Sequence, residues 1–348
     1  MFGYSNDIVR NDLREITQVR FPWFDFEGKT ILVTGANGML ATYLIYTFLY
    51  LVREKGINIK VVALSRSLDK TRELYKEFMN DSSLVILHQD VCSPITYVGR
   101  IDYIYHFAGN ASPYYIKNDP LGIIKSNIIG TFNVMELARD KEPQKVIFAS
   151  TREVYGETSF QCLSEDSFGK VDPLDSRSCY PESKRAAETI IKGYFTQYGI
   201  NSVIARIAHS YGPGMKTDND GRVMSDFIHS ALHCQDITLL SDGSAVRSFC
   251  YINDVILGLF QLTLFGKKGE AYNLANETEP MSIREIACMI ADTFPEKGIS
   301  VNYKQDADQS GYCAYQRVAL DTRKIEDIGF KPSVSLREGI ERTILSFE

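Results

Sequence analysis

The chain has 348 residues, of which 44% are hydrophobic and 24% are charged, and its formal net charge is −6 at pH 7. This composition is typical of a folded globular protein, and the acidic balance argues against binding to the nucleic-acid backbone. No segment approaches the ~18 apolar residues of a membrane span, and residues 1–10 lack the apolar core of a secretory signal. Seven cysteines without a CxxC spacing indicate reduced thiols, so we expect a cytoplasmic protein with no membrane association and no metal site.

Residues 1–28 are a predicted N-terminal appendage with one short helix over 7–17. Apolar segments then alternate with helical patterns and predict strands at residues 30–34, 61–64, 84–88, 103–107, 145–149 and 203–205. This alternation is typical of the α/β class with a doubly wound parallel sheet, the Rossmann fold. We therefore expect a mainly dinucleotide-binding Rossmann domain over residues 29–205 and a smaller C-terminal substrate-binding lobe over most of 206–348.

A glycine-rich turn follows the first predicted strand and opens a helix that runs to about residue 54. Glycines here allow a tight turn and let a pyrophosphate approach the backbone at the helix N-terminus. The candidate cofactor-binding residues of this turn are Gly35, Asn37, Gly38, Met39 and Leu40. Because the third glycine of the usual pattern is an alanine here, an ordinary strand–helix turn stays open as the alternative.

The ends of other predicted strands supply further cofactor candidates. Folds that bind NAD commonly place an acid after the second strand for the ribose 2′-hydroxyl, whereas this chain has Ser65 and Arg66. A cation and a hydroxyl suit the 2′-phosphate of NADP, so the sequence slightly favours NADP and leaves NAD open. The remaining candidates are Asp90, placed to meet an adenine amino group, Val91, Phe107, Ala108, Gly109 and Asn127.

A catalytic constellation is predicted around Tyr180 and Lys184, which lie four residues apart on one helix face. Thr151 follows the fifth predicted strand, at the carboxyl edge where open α/β sheets bind ligands. A tyrosine with its ordinary pKa of about 10 is a poor base at neutral pH, and a nearby ammonium group favours the phenolate. Thr151, or Ser150, can hold a substrate oxygen beside Tyr180. The pattern predicts proton removal from an alcohol or sugar hydroxyl while a hydride leaves the same carbon.

Several longer segments carry a resemblance to one family. They are residues 106–120 (HFAGNASPYYIKNDP), 125–131 (KSNIIGT), 150–156 (STREVYG), 179–189 (CYPESKRAAET), 206–227, 247–254 (RSFCYIND) and 273–276 (NLAN). Over residues 29–346 the chain resembles the extended short-chain dehydrogenase/reductase family, in its NAD(P)-dependent nucleotide-sugar epimerase/dehydratase branch. It is most similar to UDP-glucuronate decarboxylases, then to dTDP-glucose 4,6-dehydratases and UDP-sugar 4-epimerases.

The resemblance implies an enzyme that acts on a sugar linked to UDP, dTDP, GDP or CDP. It implies that Glu153 is a catalytic acid beside sugar C5 and C6. The other substrate-binding residues that it implies are Ser112, Arg152, His209, Arg222, Arg247 and Arg317. It also implies a homodimer in which helices around residues 120–137 and 182–194 pair with their copies. The apolar residues that the sequence offers for that contact are Ile123, Ile124, Ile128, Val134, Ala186, Ala187 and Ile191.

Three departures from the family pattern leave the exact reaction open. Arg152 replaces the serine of decarboxylases and the aspartate of dehydratases, His209 replaces an asparagine that contacts the diphosphate, and Tyr114-Tyr115 replaces a Pro-Asn pair. The shared first step is oxidation at C4, after which decarboxylation, dehydration or epimerisation follows. An NADPH-dependent 4-keto-sugar reductase and a catalytically silent dinucleotide sensor are further alternatives. Of these functions, we expect decarboxylation first.

Overall fold

The computed structural model describes residues 2–218, 220–304 and 318–348. Its central sheet consists of β1 (Lys29–Thr34), β2 (Ile59–Ser65), β3 (Leu84–His88), β4 (Tyr103–His106), β5 (Lys145–Thr151), β6 (Ser202–Ile207) and β7 (Glu270–Leu274). The seven strands lie in the order β7-β6-β5-β4-β1-β2-β3, and every neighbouring pair is parallel. The predicted doubly wound parallel sheet is confirmed.

The strand order reverses at β1, which lies between β4 and β2. Thr34, the last residue of β1, pairs with His106 on one side and with Leu64 on the other. In doubly wound sheets, ligands bind beyond the carboxyl ends of the strands at such a reversal. The glycine-rich turn after β1 and the loop after β4 therefore meet at the expected ligand crevice.

Helices cover both faces of the sheet. In chain order the α-helices of the described residues are α1 (Asp7–Gln18), α2 (Met39–Lys55), α3 (Leu68–Leu74), α4 (Pro113–Asn118), α5 (Pro120–Lys141), α6 (Cys179–Tyr198), α7 (Val223–Leu232), α8 (Ile252–Phe265), α9 (Ile283–Thr293), α10 (Arg323–Glu326) and α11 (Leu336–Leu345). Of these, α7, α9 and α11 pack on one another beside the sheet. Residues 41–51 of α2 are all buried, because the helix packs on β2 and is covered by α1 and α8. On the other face, α5 packs along α6.

β7 and α8 come from the C-terminal part of the chain, and the sequence pattern predicted neither. β7 extends the sheet beyond β6, and α8 packs on β5 and β6. Outside the sheet, short strands pair as Cys162–Leu163 with Ala319–Leu320, Ser210–Tyr211 with Cys250–Tyr251, Ile237–Leu239 with Val301–Tyr303, and Val246–Arg247 with Met281–Ser282. The C-terminal segment thus contributes to the central sheet as well as to the smaller structures beside it.

The apolar residues predicted for a dimer contact are largely used within the chain. Ile123, Val134, Ala187 and Ile191 are buried in the core, so their assignment to a contact between copies is wrong. They face the sheet and the neighbouring helix, because α5 and α6 each need one apolar face to pack there. The exposed apolar side chains of α5 are instead Leu121, Ile129 and Phe132.

The N-terminal segment is tied to the core by a buried carboxylate. α1, which matches its predicted range closely, packs on α2 and α8. The fully buried Asp12 accepts hydrogen bonds from Tyr43 (2.9 Å), Tyr251 (2.7 Å), Asn253 (3.1 Å) and Arg342 (2.8 Å). One side chain therefore joins α1 to α2, α8 and α11.

Replacing Asp12 by alanine should lower the free energy of unfolding by about 3–5 kcal/mol, because it leaves the buried hydroxyls of Tyr43 and Tyr251 and the buried amide of Asn253 without their acceptor. Urea unfolding measures this change. The control is Asp7→Ala, at an exposed position of the same helix, for which we expect a loss below about 1 kcal/mol. Equal losses for the two variants would contradict the anchoring role of Asp12.

Candidate active site

The turn after β1 is held against the end of β4. Gly35 has φ +69°, which favours glycine, and a Cβ there would lie 2.8 Å from the backbone nitrogen of Ala108. Gly38 caps α2, and its N–H donates to the Gly35 carbonyl at 2.9 Å. Met39 and Leu40 open α2, so their N–H groups have no partner inside the helix. The turn therefore offers N–H donors and the positive helix end to an anion.

Asn37 links this turn to the end of β2. Its Nδ2 donates to the Ser65 hydroxyl at 2.7 Å, and its Oδ1 accepts from the Thr71 hydroxyl at 2.9 Å. Ser65 is buried, whereas the side chain of Arg66 is exposed. A cation with room to move thus stands beside the turn.

The end of β3 contributes Asp90 and Val91 to the same edge of the sheet. Asp90 is partly exposed, and its Oδ1 accepts from the Cys92 N–H at 2.9 Å. Val91 is buried under α5, where its carbonyl accepts from Asn133 at 2.8 Å. The carboxylate of Asp90 is therefore oriented by its own turn and stays accessible, as its predicted contact with adenine requires.

The loop after β4 runs past α5 with little room for side chains. The N–H groups of Phe107 and Ala108 both donate to the hydroxyl of Thr34, the last residue of β1, at 3.2 Å. Gly109 follows with φ +152°, and a Cβ there would lie 2.5 Å from Asn127 Oδ1. Asn127 is fully buried, and its Nδ2 donates to Ser183 at 2.8 Å. Its Oδ1 has no hydrogen-bond partner among the described residues, which leaves a fixed acceptor beside this loop.

Tyr180 and Lys184 lie one helical turn apart near the start of α6, and both are buried. Lys184 Nζ donates to a carbonyl of β5 at 2.8 Å, and burial lowers the pKa of this lysine to about 8. Burial raises the pKa of Tyr180 above its ordinary value; the Glu153 charge adds to the rise, and a hydrogen bond to Thr151 opposes it. In the protein alone Tyr180 is therefore protonated at neutral pH, and a further positive charge is needed to favour its phenolate.

The end of β5 supplies the hydroxyl beside Tyr180. Thr151 is the last residue of β5, and its Oγ1 accepts from the Glu153 N–H at 3.2 Å. The Ser150 hydroxyl donates to Glu188 at 2.5 Å, and Glu188 in turn pairs with Arg206. Because Ser150 is engaged with this ion pair, Thr151 is the better placed of the two to contact a substrate oxygen.

Arg152 and Glu153 are consecutive residues in a short 3-10 turn, and their side chains diverge. Glu153 faces Tyr180 closely enough for its charge to raise the tyrosine pKa. Arg152 is directed elsewhere: its Nη1 lies 3.2 Å from His209 Nε2, and its Nη2 donates to the Val318 carbonyl at 3.2 Å. The two neighbours therefore serve different parts of the site.

Arg177 is a site residue that the sequence pattern did not single out. It lies in a short 3-10 helix just before α6, with its Nη2 3.4 Å from Glu153 Oε2. Its charge also opposes the rise in the pKa of Tyr180. Its place three residues before Tyr180 was the available signal, because residues just ahead of a helix share the edge at which that helix begins.

A small, partly open cavity is lined by Arg152, His209 and Arg247. Burial, with the charges of these two arginines, lowers the pKa of His209 to about 3, so its ring is neutral. Glu277 lines the cavity too, and its Oε2 accepts from the Ser248 hydroxyl at 2.9 Å. Two guanidinium groups around one cavity suit an anionic group such as a phosphate.

Ser112 and Arg222 both contact Asp220. The Ser112 hydroxyl donates to the Asp220 carbonyl at 3.2 Å, and Arg222, which caps α7, pairs with the buried Asp220 carboxylate. The charge of Arg222 also opposes the rise in the pKa of Tyr180. These two candidates are thus brought together toward the tyrosine, whereas Arg317 lies outside the described residues.

Within residues 2–218, 220–304 and 318–348, no helix is long and apolar enough to cross a bilayer. In the same ranges, no group of three or more His, Cys, Asp and Glu side chains is arranged to hold a metal ion.

Known proteins resemble this chain over most of its length. A sequence profile of the NAD dependent epimerase/dehydratase family matches residues 31–275, from β1 to β7. UDP-glucuronic acid decarboxylase 6 of Arabidopsis thaliana is 34% identical over 311 residues, which are 89% of this chain and 86% of that protein.

Two solved structures show a similar fold. UDP-glucuronic acid 4-epimerase from Bacillus cereus, in complex with NAD, has a TM-score of 0.74 and 25% identity over 90% of this chain and 95% of that chain. The dTDP-glucose 4,6-dehydratase of Streptomyces venezuelae has a TM-score of 0.77 and 24% identity over 91% of this chain and 96% of that chain. The second likeness bears on the fold alone.

Proposed function

The chain belongs to the NAD dependent epimerase/dehydratase family, and we propose that it oxidises UDP-glucuronate or a similar sugar acid at C4 and then releases CO2. The observation that carries this proposal is the convergence of Tyr180, Thr151 and Glu153 at the carboxyl end of β5, in a chain similar to a UDP-glucuronic acid decarboxylase. We assign the dinucleotide mainly to residues 29–205 and the nucleotide sugar mainly to residues 206–348.

The residues at the strand reversal fit a dinucleotide. A Cβ at Gly35 would meet the Ala108 backbone and one at Gly109 would meet Asn127, so these glycines let the two loops pack closely at the crevice, and the Oδ1 of Asn127 offers a buried acceptor there. We expect the turn with Gly38 to hold the pyrophosphate and Asp90 to hold the adenine. Bound in this crevice, NAD would supply the hydride acceptor for C4.

In this proposal Tyr180 removes the proton from the C4 hydroxyl while Thr151 holds the same oxygen by a hydrogen bond. The phenolate form of Tyr180 is disfavoured by burial, so its use as a base depends on positive charge. Arg177 and Arg222 oppose the rise in the pKa of Tyr180, and the ammonium of Lys184, one helical turn away, is another positive charge nearby. Because Tyr180 is still protonated in the protein alone, the positively charged nicotinamide ring of bound NAD would supply the further charge that favours the phenolate.

Oxidation at C4 converts the C6 carboxylate of a glucuronate into a β-keto acid. The C5–C6 bond then breaks, CO2 leaves, and the bonding electrons move into an enolate over C5 and C4. C5 regains a proton before the hydride returns to C4. Because Glu153 faces Tyr180, we assign it to C5, where this proton is handled.

The direction of Arg152 supports decarboxylation. An arginine paired with the C6 carboxylate would stabilise the ground state more than the transition state, in which that charge moves into the enolate. Arg152 instead contacts His209 and the Val318 carbonyl. These contacts direct Arg152 away from the place beside Thr151 and Glu153 where we expect the carboxylate.

A second candidate is 4-epimerisation of the same substrate class, because a UDP-glucuronic acid 4-epimerase is 25% identical over 90% of this chain. Dehydration is less well supported, since an arginine at position 152 cannot serve readily as the acid for a leaving hydroxyl. A 4-keto-sugar reductase would use Tyr180 and Lys184 but would have no role for Glu153. A catalytically silent sensor would have no role for Tyr180, Lys184 or Glu153.

Tyr180→Phe should lower kcat by at least about 100-fold, because acid–base groups contribute 10²–10⁴-fold. Nucleotide-sugar affinity should change little, since only one hydroxyl is removed. Turnover assays and calorimetric titration measure the two quantities. Tyr194 lies farther along α6 and donates its hydroxyl to Glu136 of α5, away from Tyr180. Tyr194→Phe should therefore keep its activity. A Tyr180→Phe rate above about a tenth of wild type would contradict the assignment.

Glu153→Gln should stall the reaction of UDP-glucuronate after C4 oxidation, because the group assigned to the proton at C5 is lost. Reduced nicotinamide should then accumulate, and its absorbance measures the stall. Mass spectrometry of the wild-type product separates the reactions: loss of CO2, loss of water, unchanged mass with altered retention, or gain of two hydrogens. The control is Glu182→Gln, at a carboxylate in α6 that pairs with Arg185. An unchanged rate in Glu153→Gln would support the epimerase or reductase instead.

We propose that Arg66 lets the cofactor pocket bind NADP at least as well as NAD. Its exposed guanidinium lies at the end of β2, where a 2′-phosphate would be bound. Arg66→Asp should shift the preference toward NAD in fluorescence titrations, because it removes the cation and adds a ribose acceptor. Arg72→Asp, an exposed position in α3, is the matched control. A wild type that already prefers NAD would contradict this role.

We also propose a homodimer formed through α5 and α6. Leu121, Ile129 and Phe132 are 67%, 43% and 47% exposed, and their spacing puts them on one side of α5. Light scattering at micromolar concentration should show a dimer for wild type and a monomer for Phe132→Glu. Phe24→Glu, at an exposed position of the N-terminal segment, should stay dimeric. A monomeric wild type would rule this interface out.

A further inference from the structure

The contact between Arg152 and His209 defines where the imidazole proton lies. A guanidinium can only donate hydrogen bonds, and Nη1 of Arg152 lies 3.2 Å from Nε2 of His209. Nε2 must therefore be the acceptor, and the proton of a neutral ring is then on Nδ1. The second hydrogen bond of Arg152, to the Val318 carbonyl, fixes the plane of the guanidinium.

The charges around His209 favour this neutral form. Burial disfavours a charged imidazole most, and the charges of Arg152 and Arg247 lower the pKa of His209 further. The carboxylate that lines the same cavity is Glu277, whose two oxygens already accept from the Ser248 hydroxyl and the Leu320 N–H. The imidazole is therefore uncharged across the physiological pH range, and its donor is present throughout.

The backbone of His209 is held in an unusual conformation. Its φ is +46°, which non-glycine residues adopt rarely. The ring packs against Phe249, with 5.4 Å between the ring centroids. Backbone strain of this kind persists only where the surroundings impose it, and it is common at ligand sites. The direction of the ring is thus set by its surroundings, with Arg152 on one ring nitrogen.

The position of the cavity indicates which part of a nucleotide sugar reaches it. Arg152 lines the cavity, whereas Glu153, the next residue, faces Tyr180 on the reaction side. In a glucuronate the carboxylate is attached to C5, directly beside the reacting C4. The diphosphate is attached to C1, across the sugar ring. A group in this cavity therefore corresponds to the diphosphate and not to the carboxylate.

We propose that Arg152 is a positioning residue that holds His209 as a neutral Nδ1–H donor for the diphosphate of the nucleotide sugar. The identity of that substrate rests on the proposed function. Arg247 supplies a planar guanidinium on the same cavity, which suits phosphate oxygens. Arg152 thus acts through the imidazole, and the pair replaces what a single amide side chain would do at position 209.

The tautomer is tested directly by NMR of protein labelled with ¹⁵N and ¹³C at histidine. The spectrum of the wild-type protein should show the proton of His209 on Nδ1. This signal should not change between pH 6 and 8, because burial and the two arginines keep the ring neutral. Arg152→Met removes the donor and one cation, so His209 should show both tautomers and begin to titrate. The His209→Asn spectrum assigns the signal. A wild-type ring with its proton on Nε2, or no change in Arg152→Met, would overturn the proposal.

Binding of UDP, measured by calorimetry, tests the role in the diphosphate site. Arg152→Met should weaken UDP binding by about 2- to 5-fold, because only the fraction of His209 rings with the proton on Nδ1 can then donate. His209→Asn should bind UDP within about 3-fold of wild type, because asparagine tolerates positive φ and its amide donates without a fixed tautomer. In the His209→Asn background, Arg152→Met should cost clearly less than in wild type. Additive effects would overturn the proposal, since Arg152 would then act by its own charge alone.

Comparing UDP, UDP-glucose and UDP-glucuronate shows whether Arg152 acts on the diphosphate or on the carboxylate of the substrate. UDP, UDP-glucose and UDP-glucuronate should all lose affinity by the same factor in Arg152→Met, while Arg139→Met, at an exposed position in α5, changes none of them. A loss confined to UDP-glucuronate would assign Arg152 to the carboxylate and overturn the proposal. Failure of the proposed function is distinguishable, because wild type would then release no CO2 although the dependence of UDP binding on Arg152 held.

Discussion

The site depends on a divergence between consecutive side chains at the end of β5. Thr151 caps a short 3-10 turn with its own hydroxyl, and this turn sends Glu153 toward Tyr180 and Arg152 toward His209. Because a strand end fixes the turn, the side chains of Arg152 and Glu153 stay on separate sides of one backbone, which is the separation that the proposed roles require. A nucleotide sugar needs this separation, since its reacting carbon and its diphosphate lie across the sugar ring from each other.

Burial is the second constraint on the chemistry. It opposes charge on both Tyr180 and Lys184, raising the pKa of the phenol and lowering that of the ammonium group to about 8. A base in such a place works only if other charges compensate, and Arg177 and Arg222 both act in that direction. Glu153 acts in the opposite direction, and its pairing with Arg177 at 3.4 Å limits that effect. Arg177 thus pairs with Glu153 and also opposes the rise in the pKa of Tyr180.

Much of the fold was predictable because it rests on local periodicity and chain order. Strand–helix alternation gave six strands of the sheet, and the turn at Gly35 and the spacing of Tyr180 and Lys184 are local patterns. β7 was not predicted, because Glu270–Leu274 is short and follows the part of the chain where the strand–helix alternation breaks up. Helical periodicity indicated that Ile123 and Val134 share one face of α5, but it did not indicate which part of the protein covers that face. In the structure, the core of the same chain covers it. The direction of Arg152 depends on His209 and Val318, which only the tertiary fold brings near.

The central claim is that C4 oxidation at Tyr180 precedes loss of CO2, and UDP-glucuronate deuterated at C4 tests it most directly. If the hydride leaves C4 and later returns, the pentose product should keep its deuterium at C4, release of CO2 should be slowed by the isotope, and reduced nicotinamide should form transiently. An unlabelled substrate in parallel gives the reference rate. Release of CO2 without transient reduced nicotinamide, or consumption of UDP-glucuronate with its carboxylate retained, would contradict the account.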